Sequence, residues 1–190
     1  MGHSPNPKQT PVRPYPSKYV ALWTMKDGNQ VTIRPIRPED EPVMVKFHET
    51  LSDRSVYLCY FYSFSLRRRV AHERLLRICL GDYAREMVLV AERTDPCGGE
   101  RRILAIGRMS KLDAGNEAEI AVLVSDQYQK RGLGYELLRR VIEVARDEKI
   151  SRVCAEMLPD NIAMQVITKR LGFGIQAGED MTSVRALLDL

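Results

Sequence analysis

Apolar positions along the chain follow two rhythms, one of two residues and one of about 3.6, and each change of rhythm marks a new element. Tyr19 to Met25 and Gln30 to Ile36 read as strands flanking Asp27-Gly28, a turn signal, so they predict a hairpin. Pro38-Glu39-Asp40-Glu41 places a proline and acids at the start of a helix that runs through about Leu51. One or two further helices occupy roughly Val56 to Leu80. Met87 to Glu92, Ile103 to Ser110 and Glu117 to Val124 predict a three-strand meander, turned at Pro96-Cys97-Gly98-Gly99 and Ala114-Gly115-Asn116. Leu137, Leu138, Val141, Ile142 and Ala145 recur at helical spacing within a helix from about Leu133 to Lys149. A strand at 152–158, a helix from about Ile162 and a final strand at Ser183 to Leu188 follow. Strands, then helix, strand, helix, strand, predict a mixed α/β sandwich around one sheet.

Composition narrows this picture. A chain of 190 residues with 44% hydrophobic content can bury one sizeable core and is short for two, so one domain is expected over 19–190. Pro5, Pro7, Pro11, Pro14 and Pro16 crowd a start without apolar periodicity, which predicts a disordered tail over 1–18. That start lacks a signal-peptide core and no run of about eighteen apolar residues follows, so a soluble, cytoplasmic protein with no membrane partner is expected. Cys59, Cys79, Cys97 and Cys154 contain no Cys-x-x-Cys pairing, and Leu76 stands where the metalloprotease motif opened by His72-Glu73 needs its second ligand. No metal site is expected. Of the formal charge of +4, Lys8, Arg13 and Lys18 supply three, leaving the remainder near neutral and arguing against a nucleic-acid partner. Arg67-Arg68-Arg69 heads the predicted helix through Leu80; it reads either as a solvated face or as a contact for a phosphate or an acidic protein surface.

Chemistry concentrates at Gln129-Lys130-Arg131-Gly132-Leu133-Gly134, between a strand and a helix. A helix N-terminus offers unpaired N–H groups and the positive end of the dipole, and glycines let a phosphate come close. Three loop patterns compete here. A Walker loop needs Gly-Lys-Ser/Thr, which is absent, and the dinucleotide fingerprint needs Gly or Ala where Leu137 stands. Upstream, Glu117 and Glu119 share one strand face by their i, i+2 spacing, and either could relay a proton. The plainer reading is two solvated charges. Ile120, Val122 and Val124 alternate with Ala121 and Leu123, so both faces beyond the glutamates are apolar, and a buried carboxylate there would have a raised pKa.

The remaining pattern, Gln-x-x-Gly-x-Gly, resembles the coenzyme A pyrophosphate loop of the GNAT acetyltransferase superfamily. Pro159-Asp160-Asn161 after a strand, and a helix closed by Leu171-Gly172-Phe173, match the same superfamily in the expected order. Read without the resemblance, Asn161 is an N-cap and Gly172 a helix C′ residue. The resemblance implies a mostly antiparallel central sheet with helices on both faces and acetyl-CoA as cosubstrate. It implies coenzyme contacts from Val122, Leu123 and Val124, from Gln129, Lys130, Arg131, Gly132, Leu133 and Gly134, and from Asn161. It favours Glu119 as general base with Glu117 in reserve, and an N–H of Leu123 or Val124 as the oxyanion donor where strands splay. The tyrosine acid that many members carry seven residues after the Asn is here Thr168, whose pKa is far too high for the role. Tyr128 is a substitute within reach of the loop, but no acid is assigned.

The N-terminal half bears on the acceptor. Ile33-Arg34-Pro35-Ile36-Arg37-Pro38-Glu39-Asp40, Ser52-Asp53-Arg54-Ser55-Val56-Tyr57 with Tyr60-Phe61, and Val70-Ala71-His72-Glu73-Arg74-Leu75 resemble the acetyltransferase domain of bacterial Pat-type protein lysine acetyltransferases. Together with the stretch from Glu117 to Gly134 the likeness covers about Tyr19 to Leu190. It implies transfer of acetyl to a lysine of a protein, an acyl-CoA synthetase above all. Acetylation of a small amine and a silent acetyl-CoA-binding module are the competing expectations.

Overall fold

A computed structural model describes residues 14–95, 98–113, 116–178 and 182–190. Its strands are β1 (Ala21–Thr24), β2 (Gln30–Pro35), β3 (Glu86–Thr94), β4 (Arg101–Lys111), β5 (Glu117–Val124), β6 (Arg152–Met157), β7 (Gly174–Ala177) and β8 (Val184–Asp189). They form one sheet in the order β1-β2-β3-β4-β5-β6-β8-β7. Every pairing is antiparallel except β5 with β6. The helices are α1 (Glu41–Glu49), α2 (Asp53–Tyr60), α3 (Leu66–Arg69), α4 (His72–Cys79), α5 (Leu133–Asp147) and α6 (Ile162–Arg170). The expected mixed α/β sandwich, with helices on both faces, is what the chain forms.

Two cores explain the uninterrupted apolar runs of the central strands, which bury both faces. Met87, Leu89 and Ala91 of β3 face Leu137, Leu138 and Val141 of α5, while Val88 and Val90 face Met44 and Phe47 of α1 and Leu75 of α4. In β5 the same alternation sends Ala118 and Ile120 to the α5 side and Leu123 to the α1 side. Glu117 and Glu119, in phase with Leu123, therefore lie on the face that α1, α2 and α4 cover.

Departures from expectation have local causes. The helix expected from Arg67 through Leu80 is broken: Ala71 is extended, and Arg74 Nη1 donates to the Arg69 carbonyl at 3.0 Å, closing α3 after one turn. Arg69 turns inward and is buried, so the three arginines do not share a solvated face. β7 was not foreseen, since Gly174-Ile175-Gln176-Ala177 has no alternation and is held by pairing with β8. The turn positions Pro96, Cys97, Ala114 and Gly115 lie outside the described residues, as do residues 1–13 of the expected tail. Residues 14–18 of that tail are described, and Tyr15 and Lys18 are anchored: the Tyr15 hydroxyl donates to the Pro35 carbonyl at 3.1 Å and Lys18 Nζ to Asp147 at 2.8 Å. Among the described residues no helix is long and apolar enough to cross a membrane.

One buried ion pair ties β2 to the start of α1. Arg34 binds both oxygens of Asp40 at 2.7 Å and Glu92 at 2.5 Å, and Asp40 also accepts from the Arg37 N–H at 2.8 Å. Removing one partner of such a pair leaves the other charge buried and uncompensated. Arg34→Leu is therefore expected to destabilise the fold by about 3–5 kcal/mol in urea titration, whereas a surface pair such as Lys18–Asp147 should contribute about 0–1 kcal/mol.

Candidate active site

The loop after β5 makes a 3-10 turn, Asp126–Tyr128, and enters α5 at Leu133. Lys130 (φ 61°) and Gly132 (φ 93°) both lie in the left-handed region, and a Cβ on Gly132 would stand 3.2 Å from Trp23 Cη2. Glycine is required there on both counts. The hairpin β1–β2 braces the loop: Lys26 N–H donates to the Arg131 carbonyl at 3.2 Å and Arg131 Nη1 to Asp27 at 2.5 Å. From Lys130 to Tyr135 the backbone N–H groups find no acceptor among the described residues; the first to do so is Glu136, at 3.0 Å from the Gly132 carbonyl. This is a cradle of donors at the positive end of a fifteen-residue helix. Gly134 has another reason for its identity. A Cβ there would meet Ile167 Cδ1 at 3.3 Å and Val124 Cγ2 at 3.6 Å, so it lets α5 approach α6 and β5.

Beside the cradle two parallel strands part. β5 and β6 are in register only over Glu117–Arg152, Ala118–Val153 and Glu119–Cys154. Beyond that β5 follows β4 to Val124 and β6 follows β8 to Met157. Hydrogen bonds at both ends of the β4–β5 ladder, Leu112 N–H to Glu117 and Ser125 N–H to Leu104, each 2.9 Å, set its phase. Alternation then turns the N–H groups of Glu119, Ala121 and Leu123 toward β4, and those of Val122 and Val124 toward the open edge. Of the two N–H groups that the resemblance offers as oxyanion donor, that of Val124 faces the open edge and that of Leu123 faces β4; the Leu123 side chain is also buried in the α1-side core.

The two glutamates differ in their partners. Glu117 accepts from Arg152 Nη1 at 3.2 Å, and Arg152 also holds Asp189 at 2.7 Å. Glu119 has no hydrogen bond or ion pair among the described residues, and it is half-buried. Ser110, which sequence reasoning passed over, is its cross-strand neighbour, with a buried Oγ that has no hydrogen-bond partner among the described residues. α2 lies across β5 and brings Cys59 near Glu119; burial pushes the Cys59 thiol up to about 11.

Other expected residues are engaged differently. Asn161 caps α6, its Oδ1 accepting from Met164 N–H at 3.2 Å while Nδ2 donates to the Leu58 carbonyl at 3.4 Å. Thr168 is buried and its hydroxyl donates to the Met164 carbonyl at 2.9 Å, back into its own helix. Tyr128 lines a pocket of about 120 Å³ with Arg93, Arg102 and Leu104 on the β4 side of the loop. Neither is brought to the open edge. Gln129 Nε2 donates to the Val124 carbonyl at 3.3 Å and to Ser55 Oγ at 3.0 Å, so its side chain braces the loop. Arg69, whose Nε and Nη1 find no partner among the described residues, has Asp53 at 3.9 Å as its carboxylate partner. Burial, with Arg74 and Arg69 nearby, pushes His48 down to about 3, so it is neutral near pH 7.

A glycine turn feeding a helix N-terminus, beside strands that part to expose amides, is the arrangement of an acyltransferase drawing on a coenzyme A thioester. Residues 30–174 match the acetyltransferase (GNAT) domain family, and the chain belongs to that family. It is 30% identical over 162 residues to Acetyltransferase PA5475 of Pseudomonas aeruginosa, covering 85% of this chain and 84% of that protein. It is 29% identical over 168 residues to Acetyltransferase Pat of Mycolicibacterium smegmatis, covering 87% of this chain and 47% of Pat, so it spans about half of that relative. The GNAT domain of S. lividans PAT superposes with a TM-score of 0.82 at 30% identity, covering 93% of this chain and 100% of that one. The chain is thus an N-acetyltransferase that takes acetyl from acetyl-CoA.

Proposed function

We propose that the acceptor is a lysine ε-amine on a protein, an acyl-CoA synthetase above all, with Glu119 as general base. The lysine ammonium, with a pKa of about 10.4, gives its proton to the Glu119 carboxylate. The amine nitrogen then bonds to the thioester carbon, and the oxyanion accepts a hydrogen bond from Val124 N–H, a kind of donor worth about 3 kcal/mol in other enzymes. Collapse breaks the carbon–sulfur bond and the coenzyme departs as thiolate; the nitrogen passes its second proton to that thiolate, directly or through water, leaving a neutral amide and free coenzyme A, and Glu119 returns its proton to solvent. The pyrophosphate lies against the N–H groups of Lys130 to Tyr135.

The observation that supports a protein acceptor is the surface at the end of α2. Tyr57, Phe61, Tyr62 and Leu66 are exposed in one stretch, flanked by the exposed Arg54, Arg67 and Arg68. Aromatic residues and arginine are the composition of protein-binding hot spots, and a small amine needs no such surface. The likeness to the S. lividans PAT domain supports the same reading. Purified acyl-CoA synthetase assayed beside a panel of polyamines, amino acids and aminoglycosides tests it by thiol release and mass spectrometry. The synthetase is expected to be acetylated on lysine, and Tyr62→Ala to raise its KM by about tenfold, or about 1.4 kcal/mol. Preferential turnover of a small amine would overturn the proposal, as would coenzyme binding without thiol release.

A further inference from the structure

A cluster outside the reacting groups joins the loop to the helix over β5. Asp126 Oδ1 accepts from Ser52 Oγ at 2.7 Å and Ser55 Oγ at 3.0 Å, and Oδ2 accepts from Ser52 N–H at 2.9 Å. Ser55 Oγ in turn accepts from Gln129 Nε2 at 3.0 Å. Ser52 is the N-cap of α2, its Oγ accepting from Ser55 N–H at 3.2 Å. At the other end of α2, Asn161 Nδ2 reaches the Leu58 carbonyl. α2 is thus gripped at its N-terminus by the turn that leads into the donor cradle, and its body packs across β5, the strand that carries Glu119.

We propose that Asp126 is a positioning residue that couples the coenzyme loop to the acceptor side of the site through α2; this rests on Gln129–Gly134 being the coenzyme loop. Without Asp126 the loop keeps its own supports, namely Tyr128 N–H on the Ser125 carbonyl, Lys26 N–H on the Arg131 carbonyl, and Arg131 on Asp27. The N-terminus of α2 loses three bonds at once. Burial works to raise the Asp126 pKa, but the bonds from Ser52 and Ser55 prevail and hold it below the usual carboxylate range, so the clamp is fully charged near neutrality. Coenzyme that orders the loop then also orders α2, and by linkage an acceptor bound against α2 tightens coenzyme binding by the same factor.

Hydrogen exchange on the full chain, with and without coenzyme A, tests the coupling. In the wild type coenzyme A is expected to slow exchange at residues 130–135 and also along α2. In Asp126→Asn, whose amide sets a donor against Ser52 N–H, the loop protection should persist and the α2 protection should vanish. The acceptor KM at saturating acetyl-CoA should rise about tenfold, while the Kd of coenzyme A measured without acceptor should stay within twofold. Ser55→Ala, which leaves the N-cap in place, should show the same pattern more weakly and serves if the first variant folds poorly. Equal α2 protection in wild type and variants, or a loss of thermal stability with the acceptor KM unmoved, would overturn the clamp. No protection of residues 130–135 in the wild type would instead overturn the loop assignment on which it rests.

Discussion

Glu119→Gln is expected to lower turnover by about 10²–10⁴, or about 3–5 kcal/mol in the barrier, with coenzyme affinity little changed. The substitution keeps the side chain's shape, and Glu119 has no ion pair among the described residues for it to break, so the loss should fall on the chemical step. The variant has a signature besides slowness. Once the base is gone, neutral amine must come from solution, so the rate should climb about tenfold per pH unit toward the lysine pKa of about 10.4. Wild-type turnover should rise less steeply. Glu117→Gln is the control: it breaks a half-exposed pair with Arg152 and should leave turnover within a few fold. If Glu117→Gln gives the large loss and Glu119→Gln does not, the two roles are exchanged.

Gly132→Val should abolish measurable coenzyme A binding in calorimetric titration. Left-handed backbone is unfavourable for an L-residue by about 1–2 kcal/mol, and more so when it is β-branched. The added carbons would also enter the space that Trp23 Cη2 holds 3.2 Å away. Relaxation of either strain turns the N–H groups of the cradle out of alignment, and those groups are what a pyrophosphate would meet. Gly134→Leu should weaken binding by another route, by driving α5 from Ile167 and Val124, so it should lower thermal stability as well. An unchanged coenzyme A titration in a folded Gly132→Val protein would remove the loop from the binding site.

Much of the architecture was legible because each element carries its own period. The helix of Leu137, Leu138, Val141 and Ile142 and the doubly apolar strand of Ile120 to Val124 announced themselves, and together they predicted one sheet between two helical layers. What went unread has a common character. β7 exists because β8 offers it an edge, and α3 ends because Arg74, five residues on, reaches back to the Arg69 carbonyl. Ser52 and Ser55 stood in a stretch noted only for its family likeness; a Ser-x-x-Ser ahead of a helix is an N-cap signal, but nothing local says that Asp126, 74 residues away, receives the hydroxyl of Ser52.

At the site the division is the same. By itself the sequence determined that a glycine turn joins a strand to a helix, that two glutamates share one face of that strand, and that Asn161 begins the next helix. These follow from backbone period and from the conformations that glycine and capping residues adopt, which depend on neighbours in the chain. Tertiary structure decided that Glu117 is tied to Arg152 while Glu119 is not, that Val124 rather than Leu123 presents its N–H to the gap, and that Arg69 is buried rather than solvated. Each of those outcomes depends on where β4, β6 and α2 lie against the segment, and strand register and helix docking are set by residues far away in the chain.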